Sequence, residues 1–148
     1  MVDHGLQLYL KEVVIHINDY EVELNELTQL STLNNRDYRA GERLLQLLAE
    51  VSIGLAKHWL KSLKKETGSN AYQTFIGLHE LGNLTDVELN EWRKIIGLRN
   101  SLVHDYLNID KSIIKLIIKD KKYQTLLCFS QQAINVLNNN CDITNSEN

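Results

Sequence analysis

Apolar residues recur every three or four positions along nearly the whole chain, the spacing that places side chains on one face of an α-helix. In the first such stretch, from about Leu6 to Leu30, acidic residues occupy the opposite face. No segment keeps the strict alternation of a half-buried β-strand, and even the β-branched run 113–118 has a helical period. The pattern therefore predicts an all-α fold, an up-and-down bundle of four to five helices.

Turn-forming residues divide the pattern into separate helices. Gly68 and Gly82 each follow a periodic stretch, where a helix is expected to stop. Thr85 and Glu88 have the spacing of a capping box, which predicts that a helix begins at that point. The predicted helices span about 6–30, 38–65, 71–81, 86 to 103 or 106, and 111–137.

The composition is typical of one globular domain with long helices. The 148 residues include no proline and only 7 glycines, and 43% of them are apolar. We assign residues 1–137 to a helical domain and 138–148 to a polar tail, expected to be disordered because it lacks periodicity. No apolar run approaches the roughly 20 residues of a membrane span, and the first residues lack a signal-peptide pattern. We therefore expect a cytoplasmic protein that does not bind membranes.

Charge is unevenly distributed along the chain. The net charge of −3 argues against bulk affinity for nucleic acid. Acidic residues dominate the first helix, whereas lysines gather at 57–65 and again at 111–122. An anionic partner is expected to prefer the two lysine segments; the alternative is that they are solvated helix faces.

One arginine interrupts the apolar face of the predicted fourth helix. Arg99 falls in line with Trp92, Ile95, Leu102 and Tyr106, at spacings of three and four. A guanidinium stays charged, and burying it without a partner is costly. Either Arg99 meets a buried carboxylate, or the apolar face opens there into a polar cleft.

The residues around Arg99 suit the cleavage of RNA without a metal. His104 has a pKa suited to general acid–base catalysis, and Arg99 suits the charge of a phosphorane. Asn100 is one helical turn before His104, where it can orient the imidazole or donate to a phosphate. One histidine does not easily serve as base and acid in one step, whereas two copies related by a two-fold axis supply both. The alternative is structural: a buried Arg99 paired with Glu50, and a histidine that stabilises the helix end.

A polar stripe crosses the predicted second helix, which is otherwise apolar on most sides. The stripe faces either a cleft or partner chain, or plain solvent. Gly54 within it costs the helix roughly 1 kcal/mol relative to alanine, which a close approach of another backbone would explain. The stripe consists of Arg43, Gln46, Glu50, Gly54, Lys57 and Lys61.

The segment from Gly97 to Tyr106 resembles the signature of HEPN-domain toxins of the HepT type. That signature has an arginine followed by asparagine, then a histidine, then a tyrosine two residues later, here Arg99, Asn100, His104 and Tyr106. The segment 42–46, with Glu50 and His58, is also similar to the second helix of the family. The chain departs from it at Gly54, where family members often carry an acidic residue.

The resemblance implies a dimeric HEPN-like bundle. Its composite ribonuclease site would use Arg99 and His104 from both copies, supported by Asn100 and Glu50, with RNA as substrate and no cofactor. It further implies a toxin–antitoxin pair, in which a nucleotidyltransferase antitoxin neutralises the toxin by transferring AMP to Tyr106. The alternatives are a non-catalytic HEPN adaptor that binds a nucleotidyltransferase or a nucleotide, and a purely structural bundle. The presence of both Arg99 and His104 favours the nuclease.

Overall fold

The computed structural model describes residues 3–146, and the side chains of residues 3–105 and 107–140. The described part of the chain consists of helices and short connections and contains no β-strand, which confirms the predicted all-α class. Six α-helices and one short 3-10 helix follow one another. They are α1 (His4–Gln29), α2 (Asn35–Ser62), α3 (Ala71–Glu80), α4 (Asp86–His104), the 3-10 helix (Tyr106–Asn108), α5 (Lys111–Lys119) and α6 (Gln124–Ser146).

Helix α2 is the centre of the bundle. It packs against each of the other α-helices, because apolar residues cover most of its circumference. Helices α1 and α4 both pack against α2 but make no contact with each other in the described range. The two helices therefore lie on different sides of α2, and their outer surfaces are separate.

Side chains near the helix ends determine where the helices begin. The Thr85 hydroxyl accepts a hydrogen bond from the Glu88 backbone N–H, and the Glu88 carboxylate accepts one from the Thr85 N–H, both at 3.1 Å. This confirms the predicted capping box. Asn34 and Asp37 form a second capping box, so α2 begins at Asn35, before the predicted start near 38. The signal was present in the sequence as two short polar residues three positions apart.

The predicted fifth helix is wrong in one respect, because the structure divides it into α5 and α6. The backbone turns at Lys121, which has a φ of 53°, and the Lys122 N–H donates to the carbonyl of Ile117. This left-handed conformation ends a helix but usually requires glycine. With no glycine or proline at the break, the sequence contains none of the usual signals for it.

The C-terminal boundary also differs from the sequence-based expectation. Helix α6 continues to Ser146, whereas residues 138–148 were expected to form a disordered tail. Leu137 is fully buried, and the three side chains after it are exposed. Neither proline nor glycine occurs in this region, so no residue there interrupts the helical backbone.

An aromatic cluster fixes α4 on the rest of the bundle. The Trp92 ring lies 4.1 Å from the Phe75 ring and 4.8 Å from the Phe129 ring, measured between centroids. Trp59 of α2 also contacts Phe129. Because these rings come from α2, α3, α4 and α6, the rotation of α4 about its axis is set by the core.

Candidate functional site

Arg99 lies at the centre of the buried face of α4. Trp92, Ile96 and Leu102 on that face are all buried, and the Arg99 side chain is only 20% exposed. This placement follows from the helical period, because the aromatic cluster turns the Trp92 side of α4 inward. The apolar face is therefore interrupted by a permanent charge, as the sequence predicts.

Glu50 of α2 is the ionic partner of Arg99. Its Oε1 atom lies 3.6 Å from Arg99 Nη1, which is an ion pair but too long for a hydrogen bond of good geometry. The Arg99 Nε atom is buried and has no hydrogen-bond partner in the described part of the chain. The guanidinium is thus neutralised, but its hydrogen-bonding capacity is largely unused. The ion pair that the structural alternative predicts is present.

A cleft of about 530 Å³ opens beside Arg99. Most of its wall is apolar, so the expectation of a polar cleft is only partly met. Charged side chains stand at its rim, namely Glu91, Lys94 and Lys122. Glu91 and Lys94 were not predicted as part of the site, although positions 91, 94, 95 and 98 share a helical face with Arg99. The apolar lining comes from Leu45, Ala49, Ile95, Leu98, Leu102, Ile113, Leu116, Ile117 and Leu126.

His104 is the last residue of α4, and it is exposed. Among the described residues it makes no hydrogen bond or ion pair. It follows Arg99 by five residues, which corresponds to about 140° around the helix axis. One chain therefore presents Arg99 to the cleft and His104 to a different side. Asn100 is also exposed, and no hydrogen bond joins it to His104 in the described structure.

Tyr106 lies just beyond α4, and its side chain is outside the described residues. The backbone leaves the α-helix at Asp105, and Tyr106 begins the 3-10 helix. The spacing predicted that Arg99 and Tyr106 share a helical face if the helix continues to Tyr106. Because α4 ends at His104, they do not share one. Asn108 holds this turn, donating from Nδ2 to Asp105 Oδ1 at 2.6 Å.

Several apolar side chains in the last turn of α4, in the 3-10 helix and on α5 are exposed. Leu107 is 84% exposed, and Val103 in the last turn of α4 is also exposed. Ile113 and Leu116, which line the cleft, are about half exposed. Exposed apolar side chains that cluster on one face are typical of an interaction surface.

The polar stripe of α2 meets different neighbours along its length. Glu50 meets Arg99, and Gly54 lies under Tyr9 of α1. A Cβ atom at Gly54 would lie 2.9 Å from the Tyr9 hydroxyl, so a side chain and not a backbone explains the glycine. The Tyr9 ring also packs on the His58 ring, with centroids 4.5 Å apart. Burial raises the pKa of Tyr9 and, together with nearby Lys61, lowers the pKa of His58.

Two of the lysines in the segment 111–122 are occupied by structural contacts. Lys111 donates to Asn35 Oδ1 at 2.9 Å and lies over the Tyr38 ring, and Lys119 donates to the carbonyl of Leu30. These contacts fasten α5 to the connection between α1 and α2. Fewer lysines of this segment are therefore available to an anionic partner than the sequence suggests. Lys122, at the cleft, is one of those that remain available.

The described residues form neither a metal site nor a membrane-spanning helix. No group of three or more His, Cys, Asp or Glu side chains is arranged to hold a metal ion in that part of the chain. None of the helices described has the length and apolar character needed to cross a membrane.

Comparison with known proteins gives a consistent picture. The sequence profile of the family described as "Ribonuclease HepT-like" matches residues 10–133. The chain is also similar to the "tRNA nuclease HepT" of Aphanizomenon flos-aquae (strain 2012/KM1/D3), at 30% identity over 102 residues. That alignment covers 64% of this chain and 69% of the relative.

Proposed function

Because the chain belongs to the HepT-like ribonuclease family and is an endoribonuclease, we propose that it is the toxin of a toxin–antitoxin pair. We further propose that it cleaves transfer RNA in the cytoplasm. The proposed substrate is supported by the name of the relative, which is a tRNA nuclease.

The proposed chemistry uses Arg99 and His104 without a metal. His104 takes the proton of the 2′-hydroxyl, which attacks the adjacent phosphorus and expels the 5′-oxygen as that oxygen gains a proton. Arg99 stabilises the negative charge on the phosphorane. The observation that carries this proposal is the state of Arg99, whose guanidinium lines an open cleft and whose buried Nε atom has no hydrogen-bond partner among the described residues.

The active species in this proposal is a homodimer. Arg99 and His104 point to different sides of α4, and one histidine does not easily act as base and acid in one step. A second copy of the chain supplies the second histidine across a two-fold axis. The exposed Val103 and Leu107, at the end of α4 and just after it, support an interface at this end of the molecule.

A nucleotidyltransferase antitoxin is the proposed partner, with Tyr106 as the acceptor of AMP. Tyr106 follows His104 by two residues, so a nucleotide attached to it would bring bulk and negative charge to the site. Tyr123 is a poor alternative acceptor, because it is fully buried and its hydroxyl donates to Asn25 Oδ1 at 2.7 Å.

Cleavage of purified transfer RNA by His104→Ala tests the nuclease mechanism. Loss of general acid–base catalysis is expected to slow cleavage by about 10²–10⁴-fold. The thermal unfolding curve should stay unchanged, because His104 is exposed at a helix end. His16→Ala, which changes another exposed histidine, is the control and should cleave normally. If a folded His104→Ala cleaves at the wild-type rate, His104 is not catalytic.

Intact-mass spectrometry tests the partner. The chain is co-expressed with the nucleotidyltransferase encoded beside it, and wild type should gain the mass of one or more AMP groups. Tyr106→Phe should gain none while remaining toxic, whereas the half-buried control Tyr20→Phe should behave as wild type. A modification of Tyr106→Phe would contradict the assignment of the acceptor. A wild-type chain that binds the enzyme but cleaves no RNA would favour the adaptor alternative.

A further inference from the structure

In the contact between Arg99 and Glu50, the carboxylate of Glu50 occupies the position that an anionic ligand of Arg99 would take. The carboxylate balances the charge of the guanidinium at 3.6 Å, yet it does not make the short paired hydrogen bonds that these two groups form when well aligned. Phosphate oxygens form such bonds with arginine readily. Glu50 is itself 44% exposed, so it can rotate into solvent when another anion arrives.

The cleft beside this ion pair has the size and chemistry of a small-ligand site. Its volume of about 530 Å³ lies in the usual range for such sites, and its wall is mainly aliphatic. Leu98 of α4, Ile117 of α5 and Ala49 of α2 all belong to this lining. A flat apolar face of a ligand can pack against this aliphatic lining, while a charged group of the same ligand stays at Arg99.

We propose that the cleft between α4 and α5 is a nucleotide-binding subsite, in which a phosphate replaces Glu50 at Arg99 and the attached base enters the cleft. The inference rests on the proposed function only in taking the RNA strand as the source of the nucleotide. Lys94 and Lys122 at the rim favour an anionic ligand, and Glu91 is the one acidic side chain among the residues that line the cleft. The base that enters becomes a determinant of where the strand is cut.

Binding of small ligands to His104→Ala tests the subsite without cleavage. The four deoxyribonucleoside 5′-monophosphates, deoxyribose 5-phosphate and inorganic phosphate are titrated by calorimetry. At least one nucleotide should bind on the order of tenfold more tightly than deoxyribose 5-phosphate, because its base leaves water. Equal affinities for all six ligands would overturn the base subsite.

Filling the cleft should remove this preference. Leu98→Phe adds bulk inside the cleft, and it should bring the nucleotide affinity down to that of deoxyribose 5-phosphate. Leu8→Phe is the matched control, because Leu8 is 64% exposed on α1, which does not touch α4. Ile117→Phe, at a lining residue on α5, repeats the test in case Leu98→Phe is poorly folded. A nucleotide preference that survives both substitutions in folded protein contradicts the proposal.

Replacing Glu50 tests its role as the substitute anion. Glu50→Gln should tighten nucleotide binding about two- to fivefold, which is the scale of a partly exposed ion pair. Glu23→Gln, an exposed change on α1, measures the general effect of removing one negative charge. The gain from Glu50→Gln should disappear when Arg99 is changed to glutamine. A gain that persists there, or weaker binding by Glu50→Gln alone, would show that Glu50 does not hold the phosphate position.

The two sets of outcomes separate the inference from the proposed function. If wild type cleaves RNA and Arg99 is required, but no ligand prefers the cleft, only the subsite is wrong. If nucleotides bind as described and His104→Ala still cleaves, the subsite stands and the catalytic assignment fails.

Discussion

At the scale of single residues, Arg99 combines two roles that usually exclude each other. It occupies the middle of a packing face, where a charge is costly, and its buried Nε donor, which a structural arginine would pair, has no partner among the described residues. A buried donor without a partner usually has a functional reason or an unseen ligand. The cleft beside it provides room for such a ligand.

Arg99→Lys should therefore be nearly as damaging as Arg99→Ala. Lysine retains the positive charge but loses the planar fork that binds two phosphate oxygens, so the rate of RNA cleavage should fall about a hundredfold or more in both variants. Single-turnover cleavage of transfer RNA provides the measurement. Arg93→Lys, on the exposed side of the same helix, is the matched control. Activity close to wild type in Arg99→Lys would mean that only the charge matters.

His58 should make the stability of the fold depend on pH. Burial and Lys61 lower its pKa in the folded state below the unfolded value of about 6.5. Protonation therefore favours the unfolded chain, and stability should fall as the pH drops through about 6.5 toward the folded pKa. His58→Gln should flatten this dependence in urea unfolding measured between about pH 7 and pH 5. His4→Gln, which changes an exposed histidine, is the control and should leave the pH dependence as in wild type. If the stability of His58→Gln changes with pH as steeply as that of wild type, His58 is not the cause of the dependence.

At the scale of elements, the contact between α1 and α2 is shaped by Gly54. The missing side chain lets the Tyr9 ring lie across α2 and pack on His58. The low helix propensity of Gly54 lowers the stability of the fold, whereas the space that it leaves for Tyr9 raises it. The same surface of α2 continues to Glu50, and the stripe therefore links the Tyr9 contact to the candidate site.

A double-mutant cycle should separate these two effects. In a Tyr9→Phe background the hydroxyl is absent, and Gly54→Ala should stabilise the protein by up to about 1 kcal/mol through helix propensity. In the wild-type background the gain should be smaller or reversed, because the new Cβ would meet the hydroxyl at 2.9 Å. Urea unfolding gives both values. Equal effects in the two backgrounds would mean that Tyr9 is not the reason for the glycine.

At the scale of the whole molecule, the bundle separates its surfaces. Helix α4 and the exposed residues near its end lie on one side of α2, and the acidic α1 lies on another. A second copy that covers the end of α4 would leave α1 uncovered. RNA, which is repelled by the acidic helix, would reach the protein from the side of Arg99 and Lys122.

Mixing of subunits should reveal whether the site is shared. Wild type and His104→Ala are unfolded together in equal amounts and refolded, so that copies exchange at random. If only wild-type pairs cleave, the activity should fall to about half of that of the same amount of wild type alone. His16→Ala replaces His104→Ala in the control and should cause no loss. A species that sediments as a monomer at micromolar concentration and still cleaves RNA would contradict the dimer.

The sequence alone determined the features that depend on nearby residues. The phase of each helix follows from the apolar period, and Thr85 with Glu88 starts α4 as predicted, because a capping box involves only neighbours. Gly82, with a φ of 82°, follows the end of α3, and this stop is also a local feature, because glycine adopts a positive φ without strain. The sequence also predicted that Arg99 places a charge on the apolar face of α4, since a helical period assigns every residue to a face before the fold is known.

The tertiary structure decided everything that joins residues far apart in the chain. The pair between Arg99 and Glu50 depends on how α4 is turned against α2, which the aromatic cluster sets. The cleft exists only where four helices meet, so the helical period can place Lys94 on the Arg99 face of α4, but no local pattern brings Lys122 to the same cleft. The break at Lys121 is held by contacts of α5 with α1, in which the Thr28 hydroxyl donates to the carbonyl of Ile118. Such contacts depend on packing between helices, and local spacing carries no record of them.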